Sequence, residues 1–230
     1  MTHVPNGARA LMANRIEPPD SLDYFPTPPW ATRALMVHVL GKIHSPLSYL
    51  GWTVLEPACG EGHMVEPLRE YCGHVFGSDI HDYGAGYPTV DFLDDRLAVP
   101  AVDCIITNPP FGPATEFVLR CLDGPAGLRI VAIFQRSTWL EGAGRYRDLF
   151  RDRPPSFTCP FVERVPLVKG RWDPDASTAT SYSWFVWVRG LAYGESRMRL
   201  IPPCREQLHR HADVMRWCPP APMPLFEVTP

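Results

Sequence analysis

Four residues, Asn108-Pro109-Pro110-Phe111, place an amide, two imino acids and an aromatic ring directly after an apolar run over residues 102–107. Each proline fixes φ and removes a backbone donor. The Pro110 nitrogen therefore cannot consume the Pro109 carbonyl in a local turn. The corner is stiff and offers acceptors outward: that carbonyl and the side-chain oxygen of Asn108. Paired acceptors suit a planar amino group. The nitrogen of such a group is a poor nucleophile because its lone pair is conjugated with the ring. Engaging both hydrogens draws the nitrogen toward tetrahedral and aims the lone pair at an electrophilic carbon, while Phe111 can stack on the flat ring. This is positioning and transition-state hydrogen bonding, not acid–base catalysis. Asn108 does not titrate, so the surplus proton leaves to water.

A second constellation lies 46 residues upstream of Asn108. Glu56-Pro57-Ala58-Cys59-Gly60-Glu61-Gly62 follows a short apolar run and precedes a helical stretch. Gly60 and Gly62 permit a sharp turn and a close backbone approach, and a helix start favours a carboxylate or phosphate. No lysine followed by Ser or Thr is present, which argues against a nucleotide triphosphatase. The single Gly-x-Gly pair is not G-x-G-x-x-G, which weakens a nicotinamide dehydrogenase. Asp79, 17 residues after Gly62, suits either a ribose hydroxyl or an ordinary strand-end acid. Residues 1–119 carry 6 basic and 14 acidic side chains. That acidic half fits a nucleoside cofactor with an ammonium and a sulfonium, such as S-adenosylmethionine, better than one with a pyrophosphate. Its carboxylate would sit at the helix start, its ribose on Asp79 and its adenine between Ile80 and Phe92.

The elements that must position these groups alternate. A helix is expected over residues 29–43, with Ala31, Leu35, Val39 and Ile43 at helical spacing. Strands are expected at 52–55, 75–80, 102–107 and 128–135, with helices at 63–72, 114–122 and 143–150. This order predicts a layered α/β fold, a mostly parallel sheet with helices on both faces. Residues 182–188 form a late strand with no obvious long helix before it, and an antiparallel setting is expected. Residues 1–22 read as a loose arm. The proline-rich tail, 201–230, is expected to be irregular.

The 230 residues suit one domain of ordinary composition, 45% apolar and 20% charged. No apolar run approaches the roughly 20 residues of a membrane span, and no signal-peptide pattern opens the chain. Seven cysteines without a C-x-x-C pair disfavour a disulfide scaffold or zinc ribbon and fit a reducing cytoplasm. Cys204, His209, His211 and Cys218 match no standard zinc spacing, and no metal is expected. Residues 120–230 hold 16 basic and 11 acidic side chains. That half suits a polyanion, with Arg136, Arg145, Arg147, Arg151, Arg153, Arg164, Lys169 and Arg171 as candidate phosphate contacts.

Taken together, these motifs resemble the S-adenosylmethionine-dependent N6-adenine DNA methyltransferases, within them the compact bacterial and phage-borne forms, which have a Rossmann-like fold. The resemblance covers most of the chain, with residues 23–200 as the methyltransferase domain. It implies that Asp23-Tyr24-Phe25-Pro26-Thr27-Pro28, before the first strand, closes over the methionine end of the cofactor, with Phe25, Thr27 and Pro28 as its contacts. By the same likeness Glu56 to Gly62 is the cofactor loop, Asp79-Ile80 holds the ribose, and Asp91 and Phe92 contact the cofactor adenine. Asn108-Pro109-Pro110-Phe111 is the implied catalytic tetrapeptide. The family also stacks a late-strand aromatic on the flipped base; Tyr182, Trp184, Phe185 and Trp187 are available, the first two on one strand face and the last two on the other, and Tyr182 is nearest the rim. Little chain remains for a long target-recognition region. Enzymes that methylate RNA bases, or the glutamine amide of release factors, use similar tetrapeptides and stay open as alternatives, as does a non-catalytic nucleic-acid module.

Overall fold

A computed structural model describes residues 23–191 and 194–219; the expected arm, 1–22, lies outside them. Seven strands form one sheet in the order β2-β1-β3-β4-β6-β5-β7. They are β1 (Thr53–Glu56), β2 (His74–Gly77), β3 (Cys104–Thr107), β4 (Ile130–Arg136), β5 (Phe157–Pro160), β6 (Tyr182–Val188) and β7 (Arg197–Met198). The first four are mutually parallel, and β6 runs antiparallel between β4 and β5, as expected for the late strand.

Side-chain alternation explains why both faces are buried. In β4, Ile130, Ala132 and Phe134 join one core and Val131 and Ile133 the other. In β6, Tyr182, Trp184 and Val186 face the first core and Phe185 and Trp187 the second. Helix α1 (Pro29–Ala34) and α2 (Val65–Leu68) cover the first face; α3 (Ala114–Leu122) covers the second.

Several elements depart from expectation. The helix over 29–43 keeps its apolar spacing but is α-helical only to Ala34, then widens to a π turn over Leu35–Val39 and tightens to 3₁₀ over Leu40–Lys42. The helix over 63–72 contracts to α2. Pro67 falls at its third position, where no intrahelical donor is needed. The segment over 143–150 divides into α4 (Ala143–Arg145) and a π turn, Tyr146–Phe150. Strands β5 and β7 were not expected: one is four residues long and ends on a proline, the other has two residues. The tail expected to be irregular carries α5 (Arg205–Leu208) and α6 (His211–Trp217).

Sheet register fixes the functional edge. Glu56, Thr107 and Arg136 end β1, β3 and β4 at a shared carboxyl edge. Because β6 is antiparallel, its first residue, Tyr182, pairs with Arg136 at that edge. All seven cysteines are unpaired and six are buried.

Candidate active site

The turn after β1 and the corner after β3 leave neighbouring strands at one edge and line a single cleft. Glu56, Ala58 and Cys59 come from the turn, Asp79 from beyond β2, Asn108 and Pro110 from the corner. Ile80, Phe92 and Phe117 add apolar wall, and Phe25 and Thr27 close it from the N-terminal side of α1.

Asn108 is oriented by a bond that fixes its amide. Its Nδ2 donates to the Phe25 carbonyl at 2.9 Å, which leaves Oδ1 as the acceptor. That oxygen is buried and has no hydrogen-bond partner among the described residues. Residues 23–25 strap the same corner: the Phe111 N–H donates to Asp23 Oδ2 at 2.5 Å, and the Phe25 and Phe111 rings lie 5.2 Å apart. The Pro109 carbonyl is not the outward acceptor that the sequence suggested. Pro109 is buried, and Gln135 Nε2 already approaches its oxygen at 3.3 Å.

Glu56 ends β1 with no exposed surface. Its Oε1 accepts the Ala58 N–H at 3.1 Å, while Oε2 makes no hydrogen bond among the described residues. Burial foremost, with Asp79 nearby, pushes its carboxyl up to about 8, although Thr107 and the Ala58 amide pull the other way. It therefore carries a proton at neutral pH. Asp79 accepts from Gly60 N at 2.8 Å and His81 N at 3.0 Å, so one carboxylate ties the glycine turn to the following loop.

Gly60 and Gly62 have φ of 52° and 87°, in the left-handed region. A Cβ on Gly60 would collide with the Tyr24 ring, and one on Gly62 with the Tyr87 hydroxyl. The close approach the glycines allow is thus taken by tyrosines, and neither glycine lines the cleft directly. Tyr24 donates to Glu61 Oε2 at 2.9 Å and lies 3.4 Å from His63 Nδ1. Since the hydroxyl gives its proton to Glu61, Nδ1 of His63 is the donor to Tyr24. Burial drives His63 down to about 3, so it stays neutral. The Trp217 ring of α6 stacks on it at 4.4 Å.

No known family model matches the chain, and no curated protein matches its sequence. Solved structures do match. One is a protein classed as a class I S-adenosylmethionine-dependent methyltransferase from Listeria monocytogenes, with TM-score 0.58 and 12% identity over 79% of this chain and 67% of that one. Another is a modification subunit assigned to a type I restriction enzyme from Vibrio vulnificus, at 0.51 and 16% over 84% of this chain. A third is a type I restriction-modification methyltransferase subunit from Streptococcus thermophilus, at 0.50 and 14% over 72%. This chain spans 51% and 45% of the latter two. The fold is the Rossmann-like methyltransferase fold.

Within that methyltransferase fold, most residues singled out in the sequence converge on the cleft, Pro57, Asp91 and Phe92 included. Pro28 does not; it caps the start of α1. Trp184 is a core residue with no exposed surface, its Nε1 donating to the Ala31 carbonyl at 3.1 Å, so it cannot stack on a ligand. Tyr182 is 4% exposed and its ring lies flat on Phe134, 5.2 Å away at 9°. Of the expected stacking residues, Phe111 alone is half-exposed, and the Arg136 guanidinium sits 4.4 Å from its ring centre. Sequence reasoning missed His63, Tyr83 and Phe117 as cleft residues. His63 directly follows the glycine turn, which was the available cue.

The expected phosphate contacts are largely spent. Arg147, Arg151, Arg153 and Arg171 pair with Asp148, Asp152, Asp123 and Asp173. Arg145 donates to the Trp139 and Glu141 carbonyls. Arg164 donates to the Ser181 hydroxyl, beside the start of β6.

Proposed function

We propose that the chain transfers a methyl group from S-adenosylmethionine to the N6 amino group of adenine in DNA. The observation that carries this reading is the Asn108 amide: locked by Phe25, it keeps a buried, unpartnered oxygen on a residue that shares its cleft with Glu56 and Asp79.

The cleft fits the cofactor on its own chemistry. Glu56 Oε2 and Thr27 Oγ1 are buried without partners on residues that line it, and they suit the ammonium and carboxylate of an amino-acid end. Asp79 has spent one lone pair of each oxygen on backbone donors and retains others for ribose hydroxyls. Ile80, Phe92 and Phe117 suit a flat heterocycle. When bound, S-adenosylmethionine supplies an electrophilic methyl carbon on a sulfonium.

The chain's own groups do the rest. Asn108 Oδ1 accepts one hydrogen of the substrate amino group. The Pro109 carbonyl is buried and engaged by Gln135, so Oδ1 is the acceptor this corner offers. Asp23 and Phe25 hold the corner and cover it, so residues 23–25 must shift before a base reaches Asn108. The base itself must leave the duplex stack to enter a site at the strand ends. Asn108 holds no proton at any step, and the proton released from the amino group passes to water.

Incubation with methyl-labelled S-adenosylmethionine and DNA, RNA or protein tests the proposal. Label in DNA as N6-methyladenine is expected. Label confined to RNA or to protein overturns it.

A further inference from the structure

Arg136 is the arginine that lies over the ring of the tetrapeptide. It ends β4 at the carboxyl edge, it is exposed, and no carboxylate pairs with it among the described residues. Its guanidinium instead lies over the Phe111 ring, 4.4 Å from the centre, with the Tyr182 hydroxyl beside it. A cation over a partly exposed aromatic ring is held weakly enough to exchange. The Phe25 ring already packs on Phe111 at 5.2 Å, tilted by 43°. A flat base stacking on the face that the guanidinium covers must displace it. Nearby, Arg164 is held by a hydroxyl, so two arginines without a carboxylate partner among the described residues lie at this end of β6.

We infer that Arg136 is a substrate-positioning residue that occupies the face of Phe111 in the free protein, gives it up to the entering base, and then pairs with a phosphate flanking the extruded nucleotide. The inference rests on the nucleic-acid reading above. It accounts for an arginine at the carboxyl edge with no carboxylate partner among the described residues, and for a tetrapeptide ring that is covered in the free protein. Exchange keeps the apolar ring covered until a base replaces the guanidinium, and it delivers one positive charge to the backbone only when that replacement occurs.

The test compares the full chain with Arg136→Ala and Arg136→Lys. Three readouts are needed: calorimetric binding of S-adenosylmethionine, steady-state methylation of an adenine-containing duplex, and binding of a fluorescein-labelled duplex across a salt series. Arg136→Ala is expected to raise KM for DNA about tenfold, the equivalent of one lost charged contact. It should also lower the slope of log Kd against log salt by about 1, with cofactor affinity at the parental value. Arg136→Lys keeps the charge and should restore the slope, while recovering KM only in part because an ammonium does not stack as a guanidinium does. An alanine variant with parental KM and slope, or a lysine variant that fails to restore the slope, overturns the inference while the methyltransferase reading stands. A parent chain that binds cofactor but labels no nucleic acid overturns both.

Discussion

Asn108 and Glu56 are single residues whose burial decides their chemistry. Asn108→Ala removes the only side-chain acceptor in the corner and should lower turnover by about 10²–10³-fold, the effect of losing one preorganised transition-state partner. Cofactor binding measured alongside should persist; unchanged turnover would exclude the role. Glu56 makes a pH prediction. Its carboxyl titrates at about 8 in the free protein because burial penalises the anion. A bound ammonium would stabilise that anion and lower the pKa, so binding at pH 7 should release up to one proton, and affinity should rise as pH climbs from 6 to 8. Calorimetry in buffers of different ionisation enthalpy reads the proton directly, and Glu56→Gln should abolish its release. The same group has a folding signature. Its folded pKa is above the unfolded value of 4.5, so the folded state binds more protons between the two, and Glu56 erodes stability as pH rises through that window. At this scale the tetrapeptide and the glycine turn were readable in the chain because residue type alone states what they offer. The capture of Asn108 Nδ2 by a carbonyl 83 residues away was not.

Helix α6 belongs to the site through contacts that no local pattern announces. Arg33 is 2% exposed and is gripped by Asp213 at 2.6 Å and Glu70 at 2.7 Å. Burial works against its charge, but Asp213 and Glu70 outweigh it and hold the guanidinium protonated. Arg210 and Arg216 reach Glu70 and Glu66 in the segment that follows the glycine turn, and Trp217 lies on His63. Asp213→Ala takes one of the two carboxylates from a buried guanidinium, leaving Glu70 as its partner, and should cost about 1.5–3 kcal/mol in urea unfolding. It should also weaken cofactor binding, because the backing of His63 goes with it; a variant as stable as the parent would refute the clamp. Seven residues in a proline-rich tail give no usable periodicity, and Arg33 looks like a solvent-facing member of its helix until an acid 180 positions later explains it. Element α3, by contrast, was legible to the residue, since its apolar face and its sharp ends are encoded locally.

Across the whole molecule, the sheet was readable where burial on both faces wrote long apolar runs, as in β3, β4 and β6. It was unreadable where short strands complete an edge, as in β5 and β7, whose place depends on pairing with β6 and β5 respectively. The charge asymmetry of the two halves did not translate into an open basic surface, because four of the eight candidate phosphate contacts pair with aspartates. Duplex binding should therefore show a shallow salt dependence for so arginine-rich a half, with a log–log slope equivalent to a few phosphates rather than eight; a fluorescence titration between 50 and 200 mM salt, roughly the range over which such slopes are read, measures it.

The reversed direction of β6 has an evolutionary consequence. Chain leaving β5 at Pro160 and returning at Tyr182 stays on the edge where Arg136 ends β4, and Gly170 within it donates to the Tyr24 carbonyl. The stretch 174–180 holds no buried residue, alternating exposed with half-buried positions, so it is a natural grafting point. Foreign loops could be exchanged at that position, retuning what docks without disturbing the layers that fold, and a minimal scaffold of this kind can diversify its targets by swapping one insert.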